Sequence, residues 1–362
     1  MLIVDAHQDL AWNILTFGRD YTLSAAETRL REHGTEIPSH SDDTLLGWPD
    51  YQRGSVVIIF STLFVAPIRK KQGDWDTQSY ADTNQAHAFY NAQLDAYYRL
   101  VENHPDKFRL VTTKTALTDV LSHWESQNTE ASHPVGLVPL MEGAEGVRTP
   151  AELEDWWQRG VRIIGPAWLG TRFCGGTHEP GPLTKQGYAL LETMADLGFT
   201  LDISHMDEKA VLQSLDFYEG KVIATHANAA ALLKGTESNR FLSDRVIAGL
   251  MERGGIIGVV PYNHFLVNGW QPGDGRWRVS LQHVIAQIDH ICQIAGDAKH
   301  AGIGSDFDGG FGLQKVPAEI DTIADLQKLV PFLGEKGYTD EDIAAILGRN
   351  WIRFLEDSLP ED

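Results

Sequence analysis

Residues 54–65 read GSVVIIFSTLFV, a run in which apolar side chains follow one another instead of alternating with polar ones. This pattern is typical of a strand in a parallel sheet that is covered on both faces. The sequence contains further short apolar runs of the same kind, at residues 2–6, 135–141, 161–165, 200–204, 222–225, 255–261 and 301–305. We therefore predict eight buried parallel strands.

Amphipathic helix patterns lie between these runs, at residues 82–103, 150–159, 185–197, 208–215, 243–253 and 281–295. Near the C-terminus, Thr339 and Asp342 have the spacing of a helix-capping box. Strands that alternate with helices predict an α/β fold, a (β/α)8 TIM-type barrel. A doubly wound open sheet is the alternative. It is disfavoured because the glycine-rich phosphate loop of its nucleotide-binding versions does not follow the first run.

The stretch between the first two predicted strands, residues 12–53, is polar and contains Pro38 and Pro49. We expect an irregular loop inserted after strand 1 rather than a separate domain. Residues 1–362 are thus predicted to form one domain.

The overall composition excludes several classes of function. Of the 362 residues, 43% are hydrophobic and 22% are charged, which is ordinary for a globular protein. The net charge of -20 argues against nucleic acid or an anionic membrane surface as a partner. Cys174 and Cys292 are far apart in sequence and are interpreted as ordinary thiols. Neither a secretory leader nor a membrane span is recognisable, so a cytoplasmic protein is expected. The oligomeric state is left open, with a homodimer as one alternative.

Residues with metal-binding side chains follow the predicted strands where each strand ends. They are His7, Asp9, Glu142, His205, His226 and Asp306. The carboxyl ends of the strands form one rim of a TIM-type barrel, and active sites are built at that rim. Each residue alone has an ordinary explanation, such as a buried hydrogen-bonded histidine or a helix cap. Their coincidence on one rim favours a metal site.

The residue types indicate which metal. His7 and Asp9 are two residues apart, so their side chains point to the same side of an extended strand. Imidazole and carboxylate ligands suit zinc, and they suffice for two divalent metal ions if Glu142 bridges them. Residues 306–310 lack the spacing of a calcium-binding EF-hand. The chain also lacks the G-x-S-x-G motif of serine hydrolases.

Five motifs together resemble the renal (membrane) dipeptidase family, peptidase family M19 of the amidohydrolase superfamily. They are DAHQDL at residues 5–10, MEG at 141–143, LDISH at 201–205, ATHAN at 224–228 and GIGSDFDG at 302–309. The resemblance runs from His7 to about Phe354.

The resemblance implies that His7 and Asp9 hold one zinc ion, that His205 and His226 hold the other, and that Glu142 bridges both. It places the catalytic acid/base on Asp306, beside a hydroxide that bridges the metals.

The resemblance also implies substrate-binding residues. Arg240 in SNRFLSD matches the arginine that binds the substrate carboxylate, and Tyr262 in VVPYN matches a tyrosine after strand 7. One position departs from the family pattern. Trp168 stands where family members carry a histidine after strand 4, and His178 lies further along the same loop.

We therefore expect a zinc-dependent dipeptidase whose substrate is a small dipeptide, with tolerance of a D-residue at the C-terminal position. One alternative, favoured by Trp168, is a binuclear-metal amidohydrolase acting on another amide, such as an N-acyl amino acid. A second alternative is a metal-binding family member that has lost catalysis. It is disfavoured because all five ligand positions and Asp306 are present.

Overall fold

The computed structural model describes residues 1–125 and 133–361, and its centre is a ring of eight parallel strands. The strands are β1 Ile3–Gln8, β2 Val56–Phe64, β3 Val135–Glu142, β4 Ile163–Gly165, β5 Thr200–Asp202, β6 Val222–Ile223, β7 Ile257–Val259 and β8 Ala301–Ile303. Their order in the sheet is β6-β5-β4-β3-β2-β1-β8-β7. Ala224, just after β6, exchanges backbone hydrogen bonds of 2.9 and 2.8 Å with Ile256 and Gly258, which closes the ring. The predicted barrel is confirmed.

Helices cover the outside of the barrel, and most follow the predicted amphipathic segments. The α-helices are α1 Leu10–Phe17, α2 Ala25–Glu32, α3 Ile37–Ser41, α4 Trp48–Gly54, α5 Thr83–Asn103, α6 Lys114–Glu125, α7 Leu153–Gln158, α8 Lys185–Leu197, α9 Glu208–Phe217, α10 Asp244–Glu252, α11 Asn263–Leu266, α12 Leu281–Ala295, α13 Leu329–Lys336, α14 Asp340–Ala344 and α15 Asn350–Ser358. A π-helical segment, Ala345–Arg349, joins α14 to α15. The predicted capping box of Thr339 and Asp342 is present at the start of α14.

Shorter elements decorate the loops. Strand Phe108–Leu110 pairs with β3, Ala66–Pro67 pairs with Ser79–Tyr80, and Cys174–Gly176 forms a hairpin with Glu179–Leu183. 3-10 turns occur at Ile68–Lys70, Pro150–Glu152, Ala230–Leu232, Pro272–Asp274, Arg276–Arg278, Leu313–Lys315 and Ile323–Lys328. Among the described residues, no helix combines the length and apolarity needed to cross a membrane.

The prediction that residues 12–53 are irregular was wrong, because this connection contains most of α1 and all of α2 and α3 and ends within α4. The capping box of Ser24 and Glu27 starts α2. Prolines occupy the first turns of α3 and α4, where the missing N–H costs nothing. These helices are short, so their apolar faces are too brief to give a clear 3.6-residue period.

Both faces of the strands are buried, as the non-alternating runs predicted. Ile58 and Phe60 pack with Val4 and Trp351 in one hydrophobic cluster. Ile59, between them, belongs to a second and larger cluster. Since successive side chains of a strand point to opposite faces, each strand separates two apolar layers. The rigid sheet fixes the positions of the loops at its carboxyl ends.

Candidate metal centre

The structure brings the six predicted rim residues together at the carboxyl ends of five strands. His7 lies within β1 and Glu142 is the last residue of β3. The others follow the ends of β1, β5, β6 and β8, and they are Asp9, His205, His226 and Asp306. All are buried or nearly so.

Glu142 lies between two groups of nitrogen and oxygen donors. Its Oε1 is 3.1 Å from His205 Nε2 and 3.4 Å from His226 Nε2. Its Oε2 is 3.7 Å from His7 Nε2, which in turn is 3.6 Å from Asp9 Oδ2. Each group is compact enough to surround one metal ion, and Glu142 is the residue that the two groups share.

Several of these atoms are buried and have no hydrogen-bond partner among the residues that the structure describes. They are His7 Nε2, Asp9 Oδ1 and Glu142 Oε1. A buried polar atom without a partner is costly, so it requires an unrecorded partner such as an ion. Asp9 precedes α1, but its side chain makes no capping hydrogen bond. The donor set and its unpartnered atoms therefore fit a metal and do not fit a helix cap.

The protonation behaviour of the histidines reflects this crowded, buried environment. Burial lowers the pKa of His7, but the nearby carboxylates of Glu142, Asp9 and Asp306 raise it by a larger amount, so that the pKa is about 10. Burial lowers the pKa of His205 and His226 well below the usual value, and neighbouring positive groups lower it further. The rings of His205 and His226 are therefore neutral and present lone pairs, as metal ligation requires, and a metal held by His7 would replace the proton that the carboxylates stabilise there.

A second layer of hydrogen bonds orients the imidazole rings. Thr225 Oγ1 lies 2.9 Å from His226 Nδ1 and donates to Asp202 Oδ2 at 2.5 Å. Thr177 Oγ1 lies 3.0 Å from His205 Nδ1. With Nδ1 engaged in this way, Nε2 of each ring is directed toward Glu142. Outer contacts of this kind fix the ring orientation in metal sites.

The loop after β8 is held in a defined shape by a buried acid. Asp308 accepts hydrogen bonds from Tyr21 at 2.9 Å, from Thr44 at 2.5 Å and from Arg19 at 3.2 Å. Asp306 and Asp308 both have left-handed backbones, with φ of 57° and 63°. Such conformations are uncommon for residues other than glycine and persist where the surroundings enforce them.

Asp306 lies at the edge of the donor groups, with Oδ1 3.9 Å from His7 Nε2. Burial raises the pKa of this carboxyl to about 7, an effect that His7 and Arg240 oppose and that Asp9 reinforces. A carboxyl with a pKa near 7 can accept and release a proton near neutral pH.

The donor groups open into a cavity of about 460 Å³ that is lined by residues from the loops of the rim. The predicted substrate-binding residues Arg240, Tyr262, Trp168 and His178 all lie on its wall.

Arg240 is buried, and its Nη2 donates to the His226 carbonyl at 2.6 Å. Its Nε and Nη1 are unpartnered, and within the described parts of the chain no carboxylate lies within ion-pairing distance. An arginine at this position could instead have formed a surface salt bridge. The structure therefore does not support that alternative for Arg240.

The other three wall residues differ in their contacts. Tyr262 stacks on Phe311 with the ring centres 4.1 Å apart. Trp168 packs edge-on against Phe64, and its ring centre is 6.4 Å from that of His205. His178 is exposed, lies in the turn of the hairpin after β4, and donates its backbone N–H to Asn239.

Sequence reasoning missed the second layer and much of the cavity wall. The buried acids Asp5, Asp202 and Asp308 were each visible as a carboxylate inside or beside an apolar run, in DAH, LDISH and DFDG. That position alone predicts a buried, hydrogen-bonded carboxylate. The wall residues Trp12 and His40 lie in the short helices α1 and α3, and Trp75 lies in a loop. No sequence pattern indicated that these segments meet at the cavity.

Comparisons with known proteins place the chain among relatives of known family. An uncharacterized protein from the pqqA 5' region of Klebsiella pneumoniae is 32% identical over 233 residues, which are 61% of this chain and 82% of that protein. The dipeptidase tcpJ of Claviceps purpurea is 28% identical over 279 residues, which are 73% of this chain and 59% of that protein. The chain thus spans less than two thirds of the length of some of the relatives it matches.

A crystal structure of a metallo peptidase from Rhodobacter sphaeroides, bound to a phosphinate mimic of L-Ala-D-Ala, has the same fold. The TM-score is 0.78 with 21% identity, and the match covers 99% of both chains. The family model for membrane dipeptidase, peptidase family M19, matches residues 1–359. The chain therefore belongs to peptidase family M19, the membrane dipeptidase family.

Proposed function

We propose that this protein is a zinc-dependent dipeptidase that holds two metal ions between β1, β3, β5 and β6. His7 and Asp9 would hold one ion, His205 and His226 the other, and Glu142 would bridge them. The observation that carries the proposal is the position of Glu142, with one carboxylate oxygen toward each donor group. Imidazole and carboxylate donors of this kind suit zinc.

When bound, the metals would supply an activated water and polarise the carbonyl of the scissile amide. Asp306 stands beside His7 on the cavity wall, where its carboxylate would take a proton from the attacking water. The same carboxyl would then pass the proton to the leaving nitrogen. Its raised pKa suits both halves of this transfer.

Arg240 would bind the C-terminal carboxylate of the substrate. Its two unpartnered guanidinium nitrogens are buried on the cavity wall, and a carboxylate would satisfy them with charge-assisted hydrogen bonds. Because Arg240 has a fixed position relative to the donor groups, the carboxylate that it binds must lie close to the scissile bond. This restricts substrates to those with a free C-terminus next to that bond. Dipeptides meet this requirement, including those with a D-residue at the C-terminal position.

A second candidate function is the hydrolysis of N-acyl amino acids. Such substrates also carry a carboxylate for Arg240 and an amide at the same distance. Trp168 favours this candidate because it presents an apolar indole, where a histidine would be expected, to the part of the cavity beside His205. An apolar surface accepts an acyl chain as readily as an amino-acid side chain.

A turnover assay with purified protein tests the proposal. The panel contains L-Xaa-L-Xaa and L-Xaa-D-Xaa dipeptides and N-acyl amino acids, each with and without a chelator. Release of free amino acids that stops on chelation and returns with zinc is the expected result. Turnover of the N-acyl compounds alone would support the second candidate instead. Turnover that persists in the fully chelated protein would contradict both.

A further inference from the structure

The cavity has two ends on opposite sides of the barrel. Arg240 lies in the loop after β6, whereas Phe64 is the last residue of β2 and Trp75 lies in the loop that follows it. Strands β2 and β6 are four positions apart in the ring of eight, so these loops face each other across it. The donor groups around Glu142 lie between them. A dipeptide whose carboxylate is bound by Arg240 therefore extends its N-terminal residue toward the loop after β2.

That end of the cavity is lined by large aromatic side chains, which we call the aromatic wall. It consists of Trp12, Phe64, Trp75 and Trp168. Trp12 and Trp75 meet edge to face with ring centres 6.2 Å apart, and Phe64 meets Trp168 in the same way at 4.9 Å. These contacts form two aromatic pairs, and both pairs line the same cavity.

Two neighbouring aromatic rings hold Trp75 of the aromatic wall in place. His40 stacks on Trp75 with ring centres 4.5 Å apart, and Phe17 stacks on it at 5.6 Å. Both neighbours lie in the connection between β1 and β2. This connection therefore fixes the position of Trp75, which lies in the loop after β2. Because these side chains are already ordered in the free protein, less conformational entropy is lost when a substrate binds.

We propose that the aromatic wall selects dipeptides whose N-terminal residue has a large apolar side chain, such as leucine or phenylalanine. This inference rests on the proposed function and names its substrate class. A side chain of this size buries apolar surface against the indoles, which glycine or alanine cannot do. The cavity volume of about 460 Å³ is within the range of small-molecule sites and leaves room for it.

A buried carboxylate beside the wall adds discrimination against acidic residues. Asp76 is 4% exposed and lines the cavity, and its Oδ1 is without a partner. Its Oδ2 accepts the backbone N–H of Gln72 at 3.2 Å. A second negative charge placed nearby is repelled. Lys70 also lines the cavity, but it is exposed, so solvent screens its charge.

The test is a comparison of kcat/KM for Xaa-Ala dipeptides in the zinc-loaded protein, with Gly, Ala, Leu, Phe or Glu as the first residue. We expect Phe and Leu to exceed Gly by about 10-fold or more, and Glu to be the poorest. Trp75→Ala should lower the Phe/Gly ratio by about 10-fold. Asp76→Asn should raise the Glu/Gly ratio several-fold. The matched control is Trp277→Ala, because Trp277 is 76% exposed and is not among the lining residues.

The outcomes separate the two proposals. If no dipeptide is turned over, the proposed function fails and this inference fails with it. If dipeptides are turned over but Gly equals or exceeds Phe, only the inference is overturned. If the Trp75→Ala protein binds as much metal as wild type and its Phe/Gly ratio is unchanged, the inference is also overturned. Trp12→Ala repeats the measurement from another loop in case Trp75→Ala does not fold.

Discussion

Asp306 is the residue whose role can be tested most cleanly by a change of a single atom. Asn in its place keeps the shape but cannot take up the proton, so Asp306→Asn should lower kcat by about 10²- to 10⁴-fold. Metal content should stay at the wild-type value, because the two groups around Glu142 do not include Asp306. Kinetics and elemental analysis of the same sample check both points.

A third group of donors does include Asp306, together with His7 and His226. Loss of metal along with activity in Asp306→Asn would therefore show that Asp306 is a ligand and not the proton carrier. Asp289→Asn, on α12 and away from the cavity lining, serves as the matched control and should leave both quantities unchanged.

Asp202 acts on the metal site through Thr225. Its Oδ1 accepts the backbone N–H groups of Ser204 and Thr225, and its Oδ2 accepts the hydroxyl that orients His226. Asp202→Asn should weaken zinc binding by about 10- to 100-fold, the usual effect of losing such an outer contact. Zinc titration against a competing chelator measures this. An affinity equal to that of wild type would mean that the His226 ring is oriented by packing alone.

At this scale the sequence was informative about residues that end strands and uninformative about their partners. His7, Glu142 and Asp306 could be found because each follows an apolar run directly. Thr225 and Thr177 could not be assigned, because a threonine hydroxyl has many partners in a folded protein. Arg240 was predicted as a substrate-binding residue from a family motif, and its role stays a prediction.

The connection between β1 and β2 is the element on which the cavity depends most. Arg19, Tyr21 and Thr44 in this connection bind Asp308 after β8, and Asp308 is fully buried. Asp308→Ala should lower the free energy of unfolding by about 3 kcal/mol, because it leaves a buried charge with fewer partners. Chemical denaturation measures the change. The control is Asp321→Ala, whose ion pair with Arg29 leaves the aspartate side chain 69% exposed and should contribute below about 1 kcal/mol.

Equal destabilisation by the two substitutions would show that the Asp308 contacts do not hold the connection in place.

The helices of this connection illustrate what sequence patterns leave out. α3 and α4 have five and seven residues, too few to be stable alone in water. They form because partners distant in sequence hold them: His40 of α3 stacks on Trp75, and Tyr51 of α4 donates to Gln8 at 2.7 Å. The barrel strands, by contrast, were predictable because burial on both faces leaves a local signature.

On the scale of the whole molecule, the barrel encloses three acids that lie close together around one histidine. Asp9, Glu142 and Asp306 all approach His7 within 3.9 Å. Removing bound metal should therefore lower the thermal stability of the entire protein. At free metal about 1,000-fold above Kd, the expected loss is about 4 kcal/mol per site. Thermal unfolding with and without chelator measures this loss. Glu142→Gln should respond less, and an identical response in both proteins would place the metal elsewhere.

If Glu142 joins two metal sites, both should be needed for hydrolysis. Stepwise addition of zinc to chelator-treated protein, with dipeptide turnover and bound zinc followed together, tests this. We predict that turnover rises until about two zinc ions are bound per chain and then levels off. Full activity in metal-free protein, or a chain that binds no zinc, would contradict it.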